Sequence, residues 1–216
     1  MKLLSINLGI KKDIQIGSST DRTGIYKFPT QDSVQVTKLG LEGDYIENKK
    51  HHGGPDQAVY IYGGADYTWW EHELGSEIKP GTFGENLTIS DLESGPLNIG
   101  DLLHIENVTL QVTMPRIPCA TFAARMDDSA WVKKFRQAKR PGFYCRVMRE
   151  GFIKAGNDVV LENFQGETIS IQQLYQDYYE KNKTVKMLQR HLAAPVSVRW
   201  HKRMEEELEK LSKQQI

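Results

Sequence analysis

The chain has little cysteine. Cys119 and Cys145 are the two among 216 residues, too few for a disulfide framework, so a reducing cytoplasm is the expected compartment. Neither sign of charge prevails, with 28 Lys+Arg against 28 Asp+Glu. That balance excludes an overall electrostatic footprint for nucleic acid or acidic membranes and leaves only local patches. No long uninterrupted apolar run appears, so no membrane helix is expected. The opening Met1-Lys2-Leu3-Leu4-Ser5-Ile6-Asn7-Leu8-Gly9 meets polar residues and glycine too early for a signal h-region. No Gly-Lys-Ser/Thr follows the glycines of Gly81-Thr82-Phe83-Gly84, so there is no P-loop. No flavin or nicotinamide signature is present either.

Glycine is also absent after Gly166, although the chain holds 18. Before that point Gly and Pro recur every few residues; after it the pattern turns helical. This shift divides the chain into residues 1–165 and 166–216. Hydrophobic residues make up 39% and charged residues 26%, an ordinary soluble composition with enough apolar side chains for a core without a stapling metal.

The first part reads as many short strands. Val108, Leu110, Val112 and Met114 alternate with polar residues, a period of two. Gln57–Tyr62 and Phe143–Met148 are further β-prone runs. The latter meets Glu150–Asn157, which reads as a hairpin and turn. Helices are expected over Ala65–Leu74, stopped by Gly75, and from Asp128 or Ser129 to about Ala138, stopped by Pro141-Gly142. Few helices among many strands predict an antiparallel barrel or sandwich. In the tail, Ser170, Thr184 and Ser197 are capping residues of three helices. Their apolar stripes include Leu174, Leu188 and Trp200, which suits a small three-helix bundle.

Chemistry concentrates in a few clusters. In Met114-Pro115-Arg116-Ile117-Pro118-Cys119 two prolines make a rigid loop, and Arg116 is placed to stabilise the Cys119 thiolate as nucleophile or soft-metal ligand. A small buried hydrophobe is the alternative for Cys119, and it is the preferred reading for Cys145. In Lys49-Lys50-His51-His52-Gly53-Gly54-Pro55-Asp56 the glycines admit close backbone approach to an anion, or simply make a tight turn. Glu85 and Asn86 suit a polar heterocycle or a turn cap. Arg146 could reach a phosphate or make a surface ion pair.

The order of these segments carries more than any one of them. Gly40-Leu41-Glu42-Gly43-Asp44, His52-Gly53-Gly54-Pro55-Asp56, Phe83-Gly84-Glu85-Asn86-Leu87, Ile99-Gly100-Asp101, Arg116-x-Pro118-Cys119 and Gly151-x-Ile153 together resemble the MOSC domain, named after the molybdenum cofactor sulfurase C-terminus. The resemblance covers about residues 1–165, and the tail is similar to the three-helix extension of the YiiM-type branch. It implies a mainly β fold with some α: a MOSC β-barrel followed by a small three-helix bundle. It implies the molybdenum cofactor (molybdopterin), with Cys119 as the metal's protein ligand. Lys38, His52, Gly53, Glu85, Asn86, Arg116 and Arg146 are the expected cofactor contacts, and His52 is also a candidate catalytic group; His51 lies outside the family pattern. The implied activity is reduction of N-hydroxylated compounds, such as hydroxylamino purines and amidoximes, to amines. Electrons would come from a separate flavin or iron–sulfur reductase.

Two other readings stand beside it. One is a cofactor-binding or sulfur-carrying protein without reductase activity, with a persulfide on Cys119. The other is a nucleic-acid or protein adaptor using the basic residues of the tail, such as Lys181, Lys186, Arg190 and Arg203. The following Glu205, Glu206, Glu207 and Glu209 favour a solvated mixed-charge face instead, so no nucleic-acid partner is expected. The tail itself could be a lid over the cofactor mouth or a contact in a homodimer.

Overall fold

The computed structural model describes residues 1–48 and 52–214. Thirteen strands and six α-helices are defined among them, a mixed α/β architecture. The main sheet has eight strands in the order β13-β9-β10-β11-β7-β8-β1-β4: β1 (Leu3–Gly9), β4 (Lys27–Thr30), β7 (Val59–Gly63), β8 (Leu87–Ile89), β9 (Leu102–Ile105), β10 (Val108–Pro115), β11 (Phe143–Arg149) and β13 (Val159–Glu162). A three-stranded sheet joins β12 (Gly151–Ile153), β5 (Val34–Thr37) and β6 (Gly40–Leu41), and β2 (Lys12–Ile16) pairs only with β3 (Ser19–Thr23).

The expected closed barrel is not formed. The ends of the main sheet, β13 and β4, share no ladder. Near the gap, Met1–Leu3 at the start of β1 meets residues 156–159 through a bridge from Lys2 to Asp158 and a few backbone bonds. The short β13 and the diversion of the chain into two small sheets leave too few residues in register to complete the ring. Pairing is antiparallel except between β7 and β8. That parallel pair needs a crossover, and helix α1 (Gly64–Leu74) supplies it. The expected hairpin at 143–157 is also different: Gly151, Phe152 and Ile153 pair with Val36, Gln35 and Val34 of β5 rather than with β11.

Alternation in β10 buries Val108, Leu110 and Val112. A register shift between Val112 and Met114 breaks the strict period, as a bulge does. Thr113 therefore lies buried with its hydroxyl donating to the carbonyls of Asp56 (2.7 Å) and Tyr144 (3.0 Å). Gln57, expected in a strand, lies in a 3-10 turn at Pro55–Gln57. A short helix not foreseen from the sequence, α2 (Ala120–Arg125), begins directly after Cys119. Helix α3 starts at Trp131 rather than at 128 or 129 because Asp128 turns back, its carboxylate accepting the Ala130 N–H at 2.8 Å.

Between α1, α2 and α3 lies an aromatic box. Trp70 and Phe135 stack at 6.0 Å, Trp70 and Trp131 meet at 4.9 Å, and Phe83 stacks on Tyr62 at 4.6 Å. Burying rings of this size supplies much of the core's stabilisation.

The tail helices are α4 (Ile171–Tyr179), α5 (Val185–Ala193) and α6 (Val198–Gln214). Ser170 and Thr184 cap the first two by accepting the Gln173 and Met187 N–H groups, as expected, and Ser197 accepts from Trp200. The helices do not enclose a separate core. Ile171, Leu174, Leu188, Trp200 and Met204 belong to the same continuous buried cluster as the sheet. Inside the tail, His191 is buried, with Nε2 2.8 Å from Asp177 Oδ2 and Nδ1 3.2 Å from Met204 Sδ.

Candidate functional site

Two glycine-dependent backbone crossings build one wall of a cavity. A Cβ on Gly24 would sit 1.7 Å from the Tyr45 carbonyl oxygen, and one on Gly9 would sit 2.4 Å from the Gly24 oxygen. Only glycine lets these segments touch, and their contact brings Lys27 and Asp44 together. Lys27 Nζ donates to Asp44 Oδ1 at 2.5 Å and to Oδ2 at 2.7 Å, with side-chain exposures of 8% and 2%. Asp44 also accepts the Gly9 N–H at 2.6 Å and Asn86 Nδ2 at 2.8 Å. Burial lowers the pKa of Lys27, and the Asp44 carboxylate opposes that shift.

The opposite wall comes from the end of β10. The chain runs through Arg116 to Cys119, whose carbonyl accepts the first N–H groups of α2, from Phe122 and Ala123. Arg116 is buried, lies 3.8 Å over the Phe122 ring and 5.0 Å over the Tyr60 ring, and donates to the Phe83 carbonyl. Cys119 is half-buried. Burial pushes its thiol up, but a hydrogen bond with His52, the Arg116 charge and the Phe122 N–H more than compensate, and its pKa falls to about 6. Cys145 is fully buried and its pKa is raised by that burial, which is the core role expected for it.

The cavity between these walls measures about 120 Å³, and Lys27, Asp44, His52, Tyr60, Arg116 and Cys119 are among the residues lining it. Of the residues singled out from the sequence, Cys119, His52, Asn86 and Arg116 meet there. The side chain of Asn86 is engaged, accepting the Tyr60 N–H at 3.1 Å and donating to Asp44, so it braces the wall. The others are not among the lining residues. Lys38 donates to the carbonyls of Val147 and Met148, tying β11 to the turn after β5. Gly53 is buried behind His52. Glu85 is fully buried, accepting from Tyr67 (2.5 Å), Gly81 N (2.6 Å) and Thr88 (2.9 Å), and that burial raises its pKa. Arg146 turns to the tail, where Nη2 donates to the carbonyl of Val196 at 2.9 Å. Lys49, Lys50 and His51 lie outside the described residues.

The buried ion pair of the cavity wall escaped the sequence reading. Lys27 stands in Ile25-Tyr26-Lys27-Phe28 with no recognisable neighbour, and Asp44 closed a glycine motif without a role. Their partnership across 17 residues depends on the glycine crossings. Among the described residues no three His, Cys, Asp or Glu side chains form a metal-binding group, and no helix is long and apolar enough to cross a membrane.

Comparisons with known proteins identify the family. The family model of the MOSC domain matches residues 48–160. YflK of Bacillus subtilis is 33% identical over 199 residues, 92% of this chain and 90% of that protein. A protein of Gibberella moniliformis named "Reductase" is 30% identical over 164 residues, covering 74% of this chain but 29% of that protein. The crystal structure of YiiM from Geobacillus stearothermophilus superimposes with a TM-score of 0.79 at 27% identity, covering 96% of this chain and 98% of that one. The motif order, the Cys119 cavity, the matched family model and these relatives lead to one assignment: the chain belongs to the MOSC domain family.

Proposed function

We propose that this protein is an oxidoreductase that reduces N-hydroxylated compounds, such as hydroxylamino purines and amidoximes, to amines, using the molybdenum cofactor. The observation that carries the reading is the Cys119 thiol presented at a polar cavity beside His52 and Arg116, which draw its pKa down to about 6. A soft thiolate is the donor a soft metal centre takes. The membership in the MOSC family and the name of the Gibberella relative support a reductase.

The residues present fit such a group. Cys119 Sγ would hold the metal. The Arg116 charge favours the anionic sulfur, and the Lys27–Asp44 pair of the opposite wall would meet the cofactor's polar groups. When bound, the cofactor supplies two-electron chemistry that side chains lack. The net reaction is R–NHOH + 2 H⁺ + 2 e⁻ → R–NH₂ + H₂O: the N–O bond breaks and oxygen leaves as water. A separate flavin or iron–sulfur reductase delivers the electrons. The protons reach the substrate at the cavity, where His52 and Lys27 each hold exchangeable hydrogens. The reading places the protein in the cytoplasm, where Cys119 and Cys145 remain thiols.

The test is to supply the full chain with the cofactor, measure bound molybdenum and pterin, and assay an amidoxime with a chemical reductant. One molybdenum per chain and turnover are expected for the native protein, and Cys119→Ala should lose both. A variant that holds molybdenum and reduces the substrate equally well overturns the assignment. Cofactor bound without turnover with any donor replaces it with the sulfur-carrier reading.

A further inference from the structure

His52 is anchored on one side by its N–H, which donates to the Asn48 carbonyl at 2.9 Å, and the loop that follows it, Gly53-Gly54-Pro55-Asp56, has little to hold it by its own composition. Two glycines carry maximal backbone freedom, and Gly54 takes φ 93°. Pro55 removes a donor. The loop is fastened at its far end, four residues from His52, and the fastening comes from the tail. Asp56 Oδ2 accepts the N–H of Val198, the first residue of α6, at 2.7 Å. Arg146 Nε lies 2.9 Å from Asp56 Oδ1, while Nη2 donates to the carbonyls of Val196 at 2.9 Å and Pro195 at 3.3 Å. Arg199 Nη1 donates to Gln57 Oε1 at 3.1 Å.

The same point is joined to the Cys119 strand. Thr113, at the bulge of β10, donates to the Asp56 carbonyl at 2.7 Å, and its own carbonyl accepts the Ser197 N–H at 3.3 Å. Three segments far apart in sequence, 52–57, 113–119 and 195–199, thus meet at one residue, Asp56, the tail at its carboxylate and β10 at its backbone carbonyl. A carboxylate facing the first N–H of a 17-residue helix is favoured by the helix dipole and satisfies a donor that has no partner within the helix.

We propose that Asp56 is a positioning residue, the catch through which the C-terminal helices hold His52 against Cys119. It is not among the residues lining the cavity. The tail thereby gains a role at the site that neither a lid nor a dimer contact requires. The inference rests on Cys119 being the reacting thiol, the same group the proposed function uses.

Val198→Pro isolates the catch. Proline is well tolerated at the first position of a helix, the Val198 side chain is 74% exposed, and the substitution removes only the N–H that Asp56 accepts. The experiment compares the full chain, Val198→Pro, Asp56→Ala, Asp56→Glu and Met204→Ala, a tail-core change away from the catch. Each is treated with iodoacetamide at pH 7, and labelling of Cys119 is followed by mass spectrometry beside the thermal midpoint. Asp56→Ala should slow labelling about 5-fold or more and Val198→Pro about 3-fold, because the thiolate loses the His52 contact. Asp56→Glu should recover most of the rate, and Met204→Ala should lower the midpoint with the rate unchanged. Labelling within 2-fold of the native rate in Val198→Pro and in whatever Asp56→Ala folds overturns the proposal, as does an equal slowing in Met204→Ala. The readout needs neither molybdenum nor turnover, so a failed cofactor assignment and a failed catch are separate results.

Discussion

Lys27 and Asp44 form a buried ion pair, Nζ to Oδ1 2.5 Å, at the wall of the Cys119 cavity. A pair so desolvated matters chiefly when one partner is removed. Lys27→Met leaves Asp44 charged, with only the Gly9 and Asn86 donors. The expected loss is about 3–5 kcal/mol in urea unfolding. The double variant Lys27→Met/Asp44→Asn should recover part of it. A single variant as stable as the native chain contradicts the pairing.

Cys119 gives a pH dependence with a defined sign. Its folded pKa of about 6 lies below the ordinary value of 9.0. Stabilisation from the thiolate is therefore complete above pH 9 and disappears as pH falls towards 6. The difference in thermal midpoint between the native chain and Cys119→Ser should be largest near pH 9 and vanish below about pH 6. Iodoacetamide labelling of the native protein should rise through a midpoint near 6, while Cys145 stays unlabelled until unfolding.

His191 sets an acid limit on the tail. Burial lowers its pKa, and the Asp177 partner offsets this only in part. A base whose folded pKa is depressed favours the folded state while neutral. That contribution is whole above its unfolded pKa of about 6.5 and is lost below it. Melting of the native chain should become acid-sensitive below about pH 6.5, and His191→Gln should flatten that limb. An unchanged pH profile for the variant refutes the point.

Gly24 tests how the cavity wall is built. An alanine methyl would meet the Tyr45 carbonyl at 1.7 Å, which only backbone separation relieves. Gly24→Ala should cost more than about 1–3 kcal/mol and weaken the Lys27–Asp44 contact, read as faster amide exchange at Gly9 and Tyr45. Gly17→Ala tests the opposite case. No atom lies within 4 Å of its Cβ position, and its φ of 60° leaves only the backbone strain.

Much of the plan was legible along the chain. The caps at Ser170 and Thr184, the stop at Gly75 and the alternation in the first half of β10 all depend on neighbours within a few residues, and each is found. The wall opposite Cys119 was not legible. Lys27 reads as an ordinary strand lysine, and Glu85 and Asn86 read as contacts for a polar heterocycle or turn caps, whereas Asn86 braces the wall and Glu85 is buried with Oε1 taking three hydrogen bonds. Arg146 reads as a phosphate contact or an ion pair, and it makes the pair, with Asp56, while Nη2 is spent on the tail.

Local chemistry in the sequence thus determined which segments would be helix, strand or turn, and which cysteine stood in a loop able to carry a reactive sulfur. Tertiary structure alone decided what faces that sulfur. The open sheet, the parallel β7–β8 step, the union of Lys27 with Asp44 and the joining of Asp56 to Val198 across 142 residues arise from long-range closure. Such contacts form where backbone crossings and buried partners coincide, and no periodicity along one strand or helix records them.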